Sequence, residues 1–218
     1  IRSLAVATRY SFVTTSIGIL VVFYLILRLT SRWRMPILFM GCGILFGLAL
    51  SGLWASGQSE PYVVSGLIPY NDAATYYIDA NRLLDGSVLS DSSSRRPLAN
   101  GLLAAMLGLT GRNLQHALAI LGLFEAFAAG YMTLEIRRVK GPAAAALTLW
   151  IVFLFARRFI GTTMTETLGL TYGMLSLAFF MRGVYENKLS FALAGIFSMT
   201  LAMNIRVGAL FLLPVLVL

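Results

Sequence analysis

GQSEPYVVSGLIPYNDAATYYIDANRLLDGSVLSDSSSRRP, residues 57–97, is the one long polar stretch in a chain that is otherwise mostly apolar. It holds five of the nine acids: Glu60, Asp72, Asp79, Asp85 and Asp91. The fold depends on whether this stretch is part of a soluble surface or an island between membrane spans. Composition favours the island. Charged residues make up 12% of the chain, against about 25% in soluble domains, and the mean hydropathy is +0.81. The expected fold class is all-α, a polytopic transmembrane helical bundle with interfacial helices in a long external loop. Residues 1–218 form a single membrane-embedded domain on this reading, and residues 57–110 form the external loop.

Two apolar runs precede the loop, residues 12–29 and 37–55, each near the ~20 residues needed to cross a hydrocarbon core. RLTSRWRMP joins them, and its Arg28, Arg32 and Arg34 mark it as cytoplasmic. Residues 57–97 are then external. Beyond the loop, residues 98–109 are apolar but short for a span, and they are read as a second interfacial or re-entrant helix. Residues 114–134 span inward to EIRRVKG, where Arg137, Arg138 and Lys140 again mark the cytoplasm. Residues 142–155 return outward, 167–181 inward and 189–203 outward, with RGVYENK cytoplasmic. A further span begins at Val207. About seven spans result, with an external N-terminus. An uncleaved external start and a chain stopping mid-helix suggest a piece of a longer protein with a helix upstream of Ile1. Arg157 and Arg158, in RRFIGTTMTE, fall outside against the positive-inside trend.

Within the loop, Ala73, Tyr76, Tyr77, Ala80, Leu83 and Leu84 recur at three- and four-residue spacing, which predicts a helix over residues 71–84. Asn71 or Asp72 can cap its start and Gly86 can end it. Tyrosines on such a helix suit the membrane interface. SDSSS, residues 90–94, reads as a turn or mobile tip.

The net charge of +8 is explained by short clusters between apolar runs, so nucleic acid is not an expected partner. Cys42 is the only cysteine and lies in an apolar run, which excludes an internal disulfide and a zinc framework. No signal peptide, GxSxG, Walker loop or HExxH is present. The remaining polar residues converge, through the topology, on the external face: Asp72, Asp79, Arg95, Arg96, Arg157, Arg158, Glu166 and Arg206. Each also has an ordinary structural reading. Asp72 can be a helix cap, Asp79 a solvated flank, and Glu166 a helix-start charge favoured by the dipole. Arg95 and Arg96 can anchor to lipid headgroups, and Arg206 can snorkel. His116 and Glu125, inside a span, read as structural, with Glu125 able to pair with a neighbouring helix.

The order of motifs resembles the GT-C superfamily of polytopic glycosyltransferases, which includes protein O-mannosyltransferases and aminoarabinose transferases. NDAATYYIDANRLLDG (71–86) looks like their first external loop, an acid followed by a tyrosine and a leucine-glycine helix end. RRPLANGLLAAM (95–106) looks like their Arg-Pro-Pro-Leu segment, with Leu98 at the second proline. TETLGL (165–170) looks like their Glu-containing start of a later span. NIRVGALFLLP (204–214) looks like their Arg-Pro junction, with Val207 in place of proline. The resemblance covers residues 57–214. It departs from the family in having two spans before the acidic loop and Asn71-Asp72 in place of a pair of acids.

What the resemblance implies is transfer of a sugar from a polyprenyl-phosphate-sugar donor to a lipid, glycan or protein acceptor, outside the plasma or inner membrane. Asp72 and Glu166 are the expected catalytic carboxylates. Arg95, Arg96 and Arg206 are the expected donor phosphate ligands, and Asp79, Tyr76 and Arg158 the expected acceptor or accessory residues. No cofactor is required, and a divalent metal is possible but not indicated. The alternatives are a secondary transporter and a non-catalytic subunit of a membrane complex.

Overall fold

The computed structural model describes residues 2–11, 13–30 and 32–206; the re-entry expected at Val207 lies outside them. The fold class is all-α as expected, with nine helices among the described residues and one small hairpin.

Helix α1 (Arg2–Tyr10) is followed by α2 (Val13–Arg28) and α3 (Arg34–Ser56). The polar loop contains strands β1 (Val63–Val64) and β2 (Ile68–Pro69), then α4 (Asp72–Leu84), the short α5 (Asp91–Ser94) and α6 (Pro97–Leu109). Then come α7 (Leu114–Ala156), α8 (Thr165–Glu186) and α9 (Leu189–Ile205). Helices α3 and α7 are long and apolar enough to cross a membrane.

Helix α7 is two limbs. Gly141 sits at φ 85°, ψ 176°, before Pro142. Positive φ is open to glycine at little cost, and proline cannot donate the next helical bond. The chain reverses here. On the first limb, Gly130 faces Phe39 and Cys42 while Gly122 faces Leu50. That order runs antiparallel to α3. On the second limb, Phe153 meets Phe46 edge-on and the following Gly161 meets Leu50 and Leu53, which runs parallel to it. The cytoplasmic turn expected at residues 135–141 is therefore a reversal without a loop.

The other helices alternate in the same way. Tyr172 and Phe179 of α8 pack on Phe124 and Tyr131 of the first α7 limb, so these two run parallel. Helix α9 returns along α8, with the Ser176 hydroxyl donating to the Gly195 carbonyl at 2.9 Å. One end of the molecule carries Arg28, Arg34, Arg137, Arg182 and Lys188; the other carries the acidic loop. We call these the arginine end and the loop end. The main core lies between them, built from Phe46, Leu38, Leu149, Phe153, Met132 and Ala178 among others. A second core at the loop end joins α4 and α6 to the starts of α7 and α8 through Tyr76, Leu103, Leu107, Leu121 and Leu168. Around the waist, apolar side chains face outward, among them Val22, Ile44, Phe127, Ile151 and Phe197, each about half exposed or more. A soluble protein seldom leaves so broad an apolar band uncovered.

Two parts of the loop end differ from the sequence reading. Helix α1 was not foreseen. It crosses α3 so closely that a side chain on Gly52 would meet the Ala5 carbonyl oxygen at 2.2 Å. The serine segment expected as a mobile tip is a helical turn with Ser93 buried, and the Ser93 carbonyl accepts from Asn100 Nδ2 at 3.3 Å.

Candidate functional site

Helix α4 begins where Asn71 takes a positive φ of 52°. Asn71 occupies the cap position without capping; its Nδ2 donates to the Pro61 carbonyl at 3.0 Å. Asp72 is the first helical residue, exposed, with no hydrogen bond or ion pair to any described residue. The capping reading of Asp72 is thus not realised. Its side chain sits in the first turn of the helix.

Asp72 lines a cleft of about 480 Å³ together with Thr75, Tyr76, Asp91, Ser92, Arg95 and Arg96. The turn from α5 into α6 supplies both arginines. Arg95 closes α5, Arg96 stands at the start of α6, and Pro97 fits the first helical position, where no N–H is needed. Arg96 is partly buried; its guanidinium donates to the Tyr76 hydroxyl and lies 6.0 Å from the centre of that ring. Arg95 is exposed and its guanidinium has no partner among the described residues. One cleft therefore combines two carboxylates without a side-chain partner among the described residues, Asp72 and Asp91, with an unpaired guanidinium and a guanidinium held by a tyrosine.

Glu166 and Arg206 are at the same end but do not line that cleft. Glu166 is 6% exposed and pairs with Arg206 Nη1 at 2.9 Å; Thr165 Oγ1 accepts from the same Nη1 at 3.3 Å. The pair ties the start of α8 to the end of α9. Snorkelling is not what Arg206 does; its charge is balanced by Glu166. Thr163 Oγ1 donates to the Ala73 carbonyl at 2.5 Å, fixing the approach to α8 against the first turn of α4. Between the two groups lies a constricted pocket lined by Tyr76, Asn100, Leu121, Thr163, Thr165 and Thr167. Tyr76 faces both this pocket and the cleft.

Asp79 is placed differently from its reading as a solvated flank. It is 1% exposed, accepts from the Ser90 hydroxyl, and pairs with Arg82 at 3.4 Å. Burial disfavours its ionised form, but the Ser90 and Ser93 contacts and the Arg82 charge together outweigh this and hold the carboxyl below its ordinary range. Asp79 anchors the serine turn and does not reach the cleft.

Arg158 is exposed and also lies away from the cleft, beside a network that the sequence did not reveal. Arg9 is buried and grips Glu60 through two nitrogens at 3.1 and 2.7 Å. It also donates to the Ile160 and Arg158 carbonyls at 2.8 and 3.3 Å. Tyr10 donates to the same Glu60 at 2.9 Å. Arg157 donates to the Thr8 and Ser11 carbonyls, closing the end of α1. Arg157 at the loop end thus has a structural use: it holds α1. An arginine near the end of a short helix gave no sign of this pairing across 51 residues.

Glu125 is fully buried, and neither carboxyl oxygen has a hydrogen-bond partner among the described residues, so the expected pairing with a neighbouring helix is absent there. His116 is exposed in the first turn of α7. Among the described residues, no three His, Cys, Asp or Glu side chains come together as a metal set. No protein family, no curated protein and no solved structure matches this chain.

Proposed function

We propose that this chain is a multi-pass membrane glycosyltransferase of the GT-C kind, moving a sugar from a polyprenyl-phosphate donor to an acceptor at the loop end. The observation that carries the reading is the shared cleft of Asp72, Arg95, Arg96 and Tyr76, set beyond the rim of an apolar waist. The acceptor hydroxyl attacks the anomeric carbon as Asp72 takes its proton. The bond from that carbon to the phosphate oxygen breaks, and polyprenyl phosphate leaves with its added negative charge. Arg95 and Arg96 stabilise that charge through charge-assisted hydrogen bonds. Tyr76 holds Arg96 in place. No nucleotide diphosphate leaves, so the reaction does not require a metal. Glu166 and Arg206 act together as a positioning pair behind Tyr76. The loop end is external and the arginine end cytoplasmic, in the plasma or inner membrane.

The test is transfer by the reconstituted full chain from a polyprenyl-phosphate sugar. Asp72→Asn is expected to lower kcat by roughly a hundredfold or more with an unchanged melting temperature. Near-normal transfer by a normally inserted Asp72→Asn protein would sink the assignment. One observation favours a second reading, a secondary transporter: Glu125 is a buried, unpartnered carboxyl in the middle of a limb. Solute flux into proteoliposomes without lipid-linked sugar would support that reading instead.

A further inference from the structure

At the arginine end, helix α2 finishes with its last carbonyls unpaired by helix bonds, and two arginines from elsewhere in the chain take them. Arg34 Nη1 donates to the Leu29 carbonyl at 2.9 Å, and Arg137 Nε donates to the Leu27 carbonyl at 2.6 Å. Helix ends attract cations in this way. The arrangement nevertheless leaves charge and donors over. Arg34 and Arg137 act on each other as like charges. Arg28, between the two carbonyls in sequence, lies over the Tyr24 ring, 5.8 Å from its centre. Neither Arg28, Arg34 nor Arg137 has a carboxylate partner among the described residues; the nearby Glu135 and Glu186 are taken by Arg138, Arg182 and Lys188. Arg34 Nε has no acceptor among the described residues. A guanidinium N–H without an acceptor is costly, and the Nη atoms of Arg34 and Arg137 not used on the two carbonyls are the donors that an anion would satisfy.

The same helix pair carries an apolar groove of about 480 Å³. Val22, Phe23 and Ile26 of α2 line one wall and Gly41, Leu45 and Leu48 of α3 the other, with Leu4 and Thr8 of α1 closing the groove towards the loop end. Residues 34, 41, 45 and 48 fall on one stripe of α3, because seven, eleven and fourteen residues are near-whole numbers of helical turns. The groove therefore leads along α3 towards Arg34. Ile26 brings its α2 wall to within one residue of Leu27, whose carbonyl holds Arg137.

We propose that this groove and its arginine mouth form a binding site for an anionic phospholipid from the leaflet at the arginine end. The headgroup phosphate pairs with Arg34 and Arg137, and an acyl chain lies between α2 and α3. Charge complementarity selects the headgroup, and the alignment of the groove with Arg34, about two helical turns beyond Gly41 on the same stripe of α3, selects an amphiphile over a free anion. The proposal rests on the membrane placement of the chain but not on sugar transfer.

The test is lipid retention by the full chain, measured by native mass spectrometry after exchange between phosphatidylglycerol and phosphatidylcholine. The wild type should retain phosphatidylglycerol over phosphatidylcholine by roughly tenfold or more. The R34Q/R137Q double variant should lose that preference. Gly18→Leu, which projects into open space along the groove, should lower retention of phosphatidylglycerol with every arginine in place; it serves as the deciding variant if the double variant does not fold. Inorganic phosphate should not displace the lipid. Equal retention of the two lipids, an unchanged preference in the double variant, full retention by Gly18→Leu, or displacement by phosphate would each overturn the site. Extraction of the chain by alkaline carbonate would overturn the membrane placement as well; failure with the chain firmly inserted overturns the lipid site alone.

Discussion

Two aspartates seven residues apart on α4 have opposite surroundings. Asp72 has no partner and faces a cleft, whereas Asp79 is buried and satisfied. Local sequence favoured a structural reading of both, and spacing alone placed them on nearly one side of the helix. What separates them is the serine turn folding back over Asp79, a contact across eleven residues that helical periodicity does not encode. Asp79→Asn should cost roughly 2 kcal/mol by weakening a hydrogen bond to a buried charge, read as a drop in thermal midpoint with transfer otherwise retained. The pH dependence has a defined sign. Because the folded-state pKa lies below the unfolded one, Asp79 contributes its full stability above the ordinary carboxylate range. That contribution is lost as pH falls from about 4 through the depressed value. The Asp79→Asn protein should show a flatter melting profile across that acid window than the wild type.

At the scale of elements, periodicity and punctuation were legible where a helix is apolar or bounded by glycine and proline. The helix expected over residues 71–84 forms as Asp72–Leu84, and the apolar run expected over residues 98–109 forms as Pro97–Leu109. Helix α1 was not legible. Its nine residues are held by a buried arginine whose acceptors come from two distant places, Glu60 and the turn that carries Arg158 and Ile160. Such long-range pairing leaves no local pattern. The serine turn was misread for a related reason: its polar composition suggests exposure, while Asp79 and Asn100 supply partners that allow burial. The crossing of α1 over α3 depends on the absence of a side chain at residue 52. Gly52→Ala should therefore displace α1, lowering stability by about 1–3 kcal/mol through overpacking. Thermal unfolding followed by circular dichroism checks this. A substitution that leaves the midpoint unmoved would show that α1 is not clamped where the structure places it.

For the whole molecule, the arginine clusters indicated which turns share an end, and the described helices alternate accordingly. What the sequence could not supply is which polar groups at the loop end meet. Asp72, Arg95, Arg96 and Tyr76 share a cleft, while Glu166 and Arg206 neutralise each other behind it. The bond between Thr163 and Ala73, ninety residues apart, ties the approach to α8 to the first turn of α4. Sidedness is open to direct measurement. Cys42 is fully buried and should not react with a membrane-impermeant maleimide. Gln58→Cys and Ser190→Cys, both at exposed positions, should be labelled from opposite faces of intact vesicles, Gln58→Cys from outside. Labelling of both from one face would refute the alternating arrangement. The reversal at Gly141 also bears on how such a chain is made. Residues 142–156 carry no charge and no polar loop sets them apart from the limb before them. On the membrane placement, the second limb falls short of the ~20 residues that cross a hydrocarbon core and is not committed to the bilayer by itself as it leaves the ribosome. The two should enter together as a preformed helical hairpin, with Arg137, Arg138 and Lys140 staying behind on the side of synthesis.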